Sequence, residues 1–210
     1  MNKKFPLLAA AAVATVIPTV AFAAMLATAV TDLNVRSGPG PEHPVIGFVQ
    51  SREEVSIIGC IEGSRWCQIT HKGKPGWAYS QYLTTQSAGS PVIISERRPD
   101  VAVPSVTYSN TTGASVATGA VAGALVAGPV GAVVGGIAGA AIDPPQQVRT
   151  YVTGNPIDPV YLDGEVVVGA GLPETVQLRQ VPDYNYRYVY VNRQPVLVDP
   201  ASRRIVYVYR

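Results

Sequence analysis

Histidine and cysteine are scarce in this 210-residue chain, two of each, and that scarcity narrows the chemistry from the outset. His43 and His71 stand far apart and away from any ligand cluster, so no metal site is expected. Neither histidine lies in a recognisable triad context, and no carboxylate pair stands out as an acid and base in a cleft. The chain is therefore expected not to be an enzyme and to need no cofactor. Cys60 and Cys67 sit close together, as a disulfide pair would in an oxidising compartment.

Charge is also sparse, with Asp, Glu, Lys and Arg making up 14% of residues. The formal net charge of +2 is carried by Lys3 and Lys4 alone; without them the basic residues equal the 14 acidic ones. The balance holds locally, with five basic and five acidic residues over 24–86 and six of each over 157–210. Nucleic-acid binding needs a clustered basic face, and none is present. Lys3 and Lys4 open a three-part leader: a basic start, an apolar run from Phe5 to Val20, and Ala21-Phe22-Ala23 before Ala24. Residues 1–23 are read as a signal peptide. The protein is accordingly expected to be exported, to the periplasm or cell envelope. No cysteine follows the apolar run, which excludes a lipoprotein anchor at that site.

Composition divides the rest into four stretches. Residues 24–86 alternate apolar and polar residues between regular turn signals, as short strands do. Residues 87–112, rich in Pro, Ser, Thr and Val without a period, read as a linker. Residues 113–142 are almost all Gly, Ala, Val, Ile and Leu, and no charge falls between Asp100 and Asp143. Residues 157–210 return to strand-like alternation and hold most of the tyrosines. The fold expected is mainly β: a small SH3-like β-barrel, a Gly/Ala-rich helical or flexible segment, and a small β-meander.

In the first stretch, Leu33–Arg36, Val45–Val49, Val55–Ile61 and Gly76–Tyr79 read as strands, and Ser80-Gln81-Tyr82 as a tight helical turn. Glu62-Gly63-Ser64-Arg65 reads as a hairpin with Gly63-Ser64 as a two-residue type II′ loop. Counting back places Cys60 directly opposite Cys67, where Cα separations of about 5.5 Å are compatible with a disulfide. The run Leu33-Asn34-Val35-Arg36-Ser37-Gly38-Pro39, then Trp66, Gly76-Trp77 and Tyr82-Leu83, resembles a bacterial SH3 domain over about residues 26–85. One departure is Ser51-Arg52-Glu53-Glu54, where that family usually places a glycine in the turn. The resemblance implies a binding module for peptidoglycan peptides or protein segments. Arg36, Trp66, Tyr79 and Tyr82 are the candidate ligand-binding residues, because amphipathic rings serve a half-wet surface. Trp77 reads as core, and Arg36 has a second reading as a brace for the neighbouring turn.

Gly119, Gly123, Gly131, Gly135 and Gly139 share a four-residue register, resembling the glycine-zipper stretches of bacterial surface antigens. Broken at Pro129, the two halves would be helices of about 21–24 Å, short of a ~30 Å hydrocarbon core. Three readings stay open for 113–142: a membrane-associated hairpin, a self-association element giving a homo-oligomer, and a flexible linker.

At the C-terminal end, Asp163-Gly164 between Val160-Tyr161-Leu162 and Glu165–Val168 reads as a hairpin. Tyr186, Tyr188 and Tyr190 alternate on one strand face, and turns at Asn192-Arg193-Gln194 and Asp199–Ser202 complete a three-stranded meander ending in Ile205–Tyr209. The segment resembles a C-terminal domain of unknown function found in exported bacterial proteins, and more distantly small periplasmic proteins linked to metal homeostasis. It has no His or Cys with which to support the second likeness. Two functions follow. One is an exported envelope binding or scaffold protein whose SH3-like domain engages peptidoglycan or an envelope protein. The other is a membrane-inserting or self-assembling glycine-zipper protein that the two β-modules flank.

Overall fold

The computed structural model describes residues 25–96, 101–108, 125–129 and 142–210. Residues 1–23, read above as a signal peptide, and most of the glycine-rich stretch lie outside the described residues. Eight strands make the first sheet: β1 (Met25–Ala29), β2 (Leu33–Arg36), β3 (Val45–Val49), β4 (Glu54–Cys60), β5 (Trp66–His71), β6 (Lys74–Tyr79), β7 (Leu83–Ser87) and β8 (Ser90–Ile93). Their order is β3-β2-β6-β5-β4-β1-β7-β8, with a 3-10 turn at Ser80–Tyr82 between β6 and β7. Alternation decides what faces inward. Leu33, Val35, Ile57, Cys67, Ile69 and Ala78 are buried in a core that the strands share. Asn34, Arg36, Trp66, Gln68, Trp77 and Tyr79 take the opposite, outer rows.

Cys60 pairs with Cys67 as the sequence register requires, and the two form the disulfide. Their Cα atoms are 3.9 Å apart, closer than expected. The reason is which side of the ladder they occupy. The Cys60 N–H donates to Pro104 O and its carbonyl accepts from Val106 N, so nothing is left for Cys67. It is a non-hydrogen-bonded pair, the class whose Cα atoms lie closest. The hairpin turn also differs, because Ser64 N donates to Ile61 O and places Glu62 and Gly63 at its centre, with Gly63 at φ 72°.

The family's missing glycine has a visible consequence. Arg52 stands in the left-handed region at φ 67°, where a side chain is strained. Neighbours hold it there: Arg52 N donates to Ala29 O, Ser51 N to Asp32 Oδ1, and Gln50 N to Glu53 Oε2.

In the second half, β9 (Leu125–Pro129) runs parallel to β10 (Tyr161–Asp163). Helix α1 (Gln146–Gly154), outside the strands and turns expected from the sequence, follows the paired prolines Pro144 and Pro145. Strands β11 (Arg179–Gln180), β12 (Arg187–Val191), β13 (Gln194–Val198) and β14 (Ile205–Val208) form an antiparallel sheet in that order. The expected meander is present, extended by β11. Asn192 and Arg193, at φ 51° and 68°, make the two-residue turn that the strand twist favours.

The hairpin expected at Asp163-Gly164 does not form. A hairpin would send alternate residues of Glu165–Val167 to solvent, whereas Glu165, Val166 and Val167 are all fully buried. The chain turns away at Gly164, φ 104°, and β10 pairs in parallel with β9 instead, while the adjacent Val160 bridges Val191.

The C-terminal sheet uses both faces. Val189, Val191, Val196, Val198, Ile205 and Val208 join the barrel residues in one continuous core. Tyr188, Leu197 and Val206 pack against Val148 and Val152 of α1. The tyrosine row therefore faces a helix, and its hydroxyls close that helix's end: Tyr188 donates to Asn155 O and Tyr190 to Val152 O. Burial raises both phenol pKa values.

Two stability measurements check this reading. Arg52→Gly relieves the left-handed strain and is expected to raise unfolding free energy by about 0.5–1 kcal/mol; an unchanged urea midpoint would show the turn to be relaxed. Tyr190→Phe is expected to lose about 1 kcal/mol, while Tyr186→Phe, whose hydroxyl has no hydrogen bond among the described residues, leaves the midpoint in place.

Candidate functional site on the outer face of the barrel

The structure brings three of the four candidate residues into one aromatic cluster. The rings of Trp66 and Tyr79 meet edge to face at 5.4 Å, and Tyr82 lies 6.0 Å from Tyr79. Arg65 Nη1 reaches the Tyr79 hydroxyl at 3.4 Å. Arg36 stands across the sheet, its backbone paired with Trp77. None of the four is open to solvent: Arg36 is 1% exposed, Trp66 5%, Tyr79 3% and Tyr82 3%. Burial raises the pKa of both phenols, with the acids Asp163 and Glu165 adding to the shift at Tyr79 and Glu165 at Tyr82.

What covers them is the rest of the chain. Glu165 projects from the C-terminal half onto Arg36, accepting from Nε at 2.5 Å and Nη2 at 2.7 Å. Its Oε1 also accepts from Asn34 Nδ2 at 3.0 Å and from Val166 N at 2.8 Å. Asn34 Nδ2 donates as well to Gln194 Oε1 at 2.7 Å. The remaining Arg36 nitrogen, Nη1, donates to the carbonyls of Pro41 and His43, so the arginine also braces its turn. A planar guanidinium with donors on two edges is suited to this double duty. Asn34, Glu165 and Gln194 were not singled out as site residues in the sequence. The one available signal was Glu165 itself, a charge at the head of the apolar run Val166-Val167-Val168.

Residues 104–108 cover a second part of the face. Pro104 and Val106 extend the ladder beyond Cys60. A side chain at Gly59 would collide with Val106 and the Pro104 carbonyl, so this close approach requires the glycine. Tyr108 then meets Trp77 at 5.4 Å and His43 at 5.8 Å, both edge to face.

An open surface remains on the other side of β2. A groove of about 310 Å³ runs between edge strand β3 and the β5–β6 turn, lined by Val35, Ile46, Phe48, His71, Lys72, Lys74 and Pro75 among others. Ile46 is 56% and Phe48 44% exposed, a high level for large apolar side chains. Glu53 lies behind it, 2.8 Å from Lys72 Nζ and 3.1 Å from His71 Nε2. Lys72 first, then the Gln50 N–H and His71, hold the Glu53 carboxyl down at about 2. Lys74 forms no ion pair among the described residues. Nor do those residues bring together three or more metal-binding side chains.

Two variants test the buried pair. Arg36→Ala strands the Glu165 charge and is expected to cost about 3–5 kcal/mol. The combined Arg36→Met, Glu165→Leu variant is expected to recover most of that loss. Equal loss in the single and double variants would show that packing, not charge, dominates there.

Known proteins match two parts of the chain. Residues 31–84 match the bacterial SH3 domain family, and residues 151–210 match a domain of unknown function, DUF1236. A Bacillus subtilis (strain 168) protein named as an N-acetylmuramoyl-L-alanine amidase, YrvJ, is 36% identical over 59 residues, 28% of this chain and 11% of that protein. A Listeria innocua (serovar 6a) protein named as an endopeptidase, p60, is 34% identical over 67 residues, 31% of this chain and 14% of that protein. The chain thus spans only a small part of these relatives' length. It carries a bacterial SH3 domain at 31–84 and a DUF1236 domain at 151–210.

Proposed function

We propose that this is an exported, non-catalytic binding protein of the cell envelope whose SH3 domain engages peptidoglycan. The observation that carries the reading is the likeness of its SH3 region to parts of two proteins named as an N-acetylmuramoyl-L-alanine amidase and an endopeptidase. The muramoyl–L-alanine linkage is a peptidoglycan bond. Whatever cuts that bond in a relative need not be the part shared here, so binding is the function carried across.

On this reading the contact surface is the groove beside β3. Its floor and rim are apolar at Val35, Ile46, Phe48 and Pro75, and Lys74 at its edge has no ion-pair partner among the described residues. An apolar slot edged by a lysine suits a short peptide bearing small side chains and a carboxylate, the chemistry of peptidoglycan stem peptides. A ligand reaching Arg36, Trp66, Tyr79 or Tyr82 would have to displace the C-terminal half. Those four residues are assigned here to supporting the domain interface.

The test is co-sedimentation of the mature chain with purified sacculi. Saturable binding is expected, weakened about tenfold by Phe48→Ala, as for a central aromatic anchor, and to a lesser degree by Lys74→Ala. Binding indifferent to both changes would remove the groove from the account. A folded protein that stays in the supernatant would remove peptidoglycan.

A further inference from the structure

Asn34 and Arg36 lie two apart on β2, and both aim their donors at one carboxylate. The guanidinium is oriented before any acid arrives, because Nη1 is tied to the carbonyls of Pro41 and His43 within the same domain. Only the acid comes from elsewhere. Glu165 follows Gly164 in an irregular stretch, and its carboxylate takes one hydrogen bond from its own half of the chain, from the N–H of Val166. Its other partners belong to the SH3 domain, and both Arg36 and Glu165 are shut away from water. A fork of donors, fixed by its own domain and closed around a carboxylate delivered by another, is how a carboxyl-bearing ligand is bound.

We propose that Asn34 and Arg36 form a carboxylate-reading site of the SH3 domain, which this chain fills from within using Glu165, so that the C-terminal domain is the SH3 domain's built-in ligand. The proposal goes beyond the peptidoglycan reading and does not depend on it, since that reading uses a different surface. It accounts for the aromatic cluster being covered: Trp66, Tyr79 and Tyr82 form the apolar part of the same docking face. It also gives the buried glutamate a role that helix, strand or turn formation would not.

Removing the Glu165 side chain leaves a cavity of carboxylate size with Arg36 aimed into it, and acetate is the probe. In the full mature chain, Glu165→Ala is expected to lower Tm by roughly 10 °C. Sodium acetate should return several degrees of that loss by mass action, relative to sodium chloride at equal ionic strength. Wild type and Arg36→Ala, measured in the same two salts, should show no such gain. Equal shifts of the Glu165→Ala variant in acetate and chloride would overturn the proposal.

If Glu165→Ala does not fold, a protease site placed within 109–120 of the otherwise unchanged chain decides the matter. After cleavage the two halves should co-elute in gel filtration, and the same nicked chain carrying Arg36→Gln should separate. Separation of the nicked wild type, or retention of the Arg36→Gln pair as tightly as wild type, would overturn the proposal.

Discussion

An ion pair sealed from water contributes only when each charge is matched and its remaining hydrogen-bonding positions are filled. Arg36 and Glu165 match each other's charge and together fill most of those positions, which they could not do apart. Arg36 spends its donors on Glu165 and on two turn carbonyls, while Glu165 takes Asn34 and a backbone N–H besides. Drawing the two halves of the chain apart would leave two charges to be rehydrated and would open the core that runs from Leu33 and Ile69 to Val191 and Ile205. The polar contact sets the register of the interface, and the apolar core supplies most of its strength.

That arrangement divides the SH3 domain's surface. Its outer face, with Trp66, Trp77, Tyr79 and Tyr82, is covered by Glu165 and its neighbours or by Val106 and Tyr108. Edge strand β3 is left uncovered and carries exposed Val45, Ile46 and Phe48. Such an edge invites pairing with other chains unless something blunts it. Here Arg210 lies over the Phe48 ring at 5.8 Å and is anchored to Asp32, which places a charge beside the apolar row.

Much of this was legible in the sequence where the signal is local. Strands β2 and β3, the 3-10 turn at Ser80–Tyr82, the Cys60–Cys67 register and the meander of β12, β13 and β14 all follow from alternation and turn residues within a few positions. The departure at Arg52 was visible too, and its left-handed backbone shows what the absent glycine would have supplied. What was not legible depends on distant partners. Asp163-Gly164 has the composition of a hairpin turn, but Glu165 lies 129 residues from Arg36 in sequence, and only their meeting explains why the chain leaves β10 there. Exposure of Trp66, Tyr79 and Tyr82 failed as an assumption for the same reason: an aromatic row reads identically whether water, a ligand or another domain covers it. The short helix α1 carried too few apolar positions, Val148 and Val152 among them, for its period to stand out beside Pro144 and Pro145. Among the described residues no helix is long and apolar enough to cross a membrane.

The central claim is that the SH3 and C-terminal domains are one cooperative unit joined at Arg36 and Glu165. Both tryptophans, Trp66 and Trp77, lie in the SH3 domain, while strands β12 and β13 lie wholly in the other. Equilibrium urea unfolding followed by tryptophan fluorescence and by hydrogen exchange of the amides over 187–198 reads the two halves separately. The account predicts a single midpoint for both probes. Two resolved transitions, with one half unfolding while the other stays protected, would contradict it.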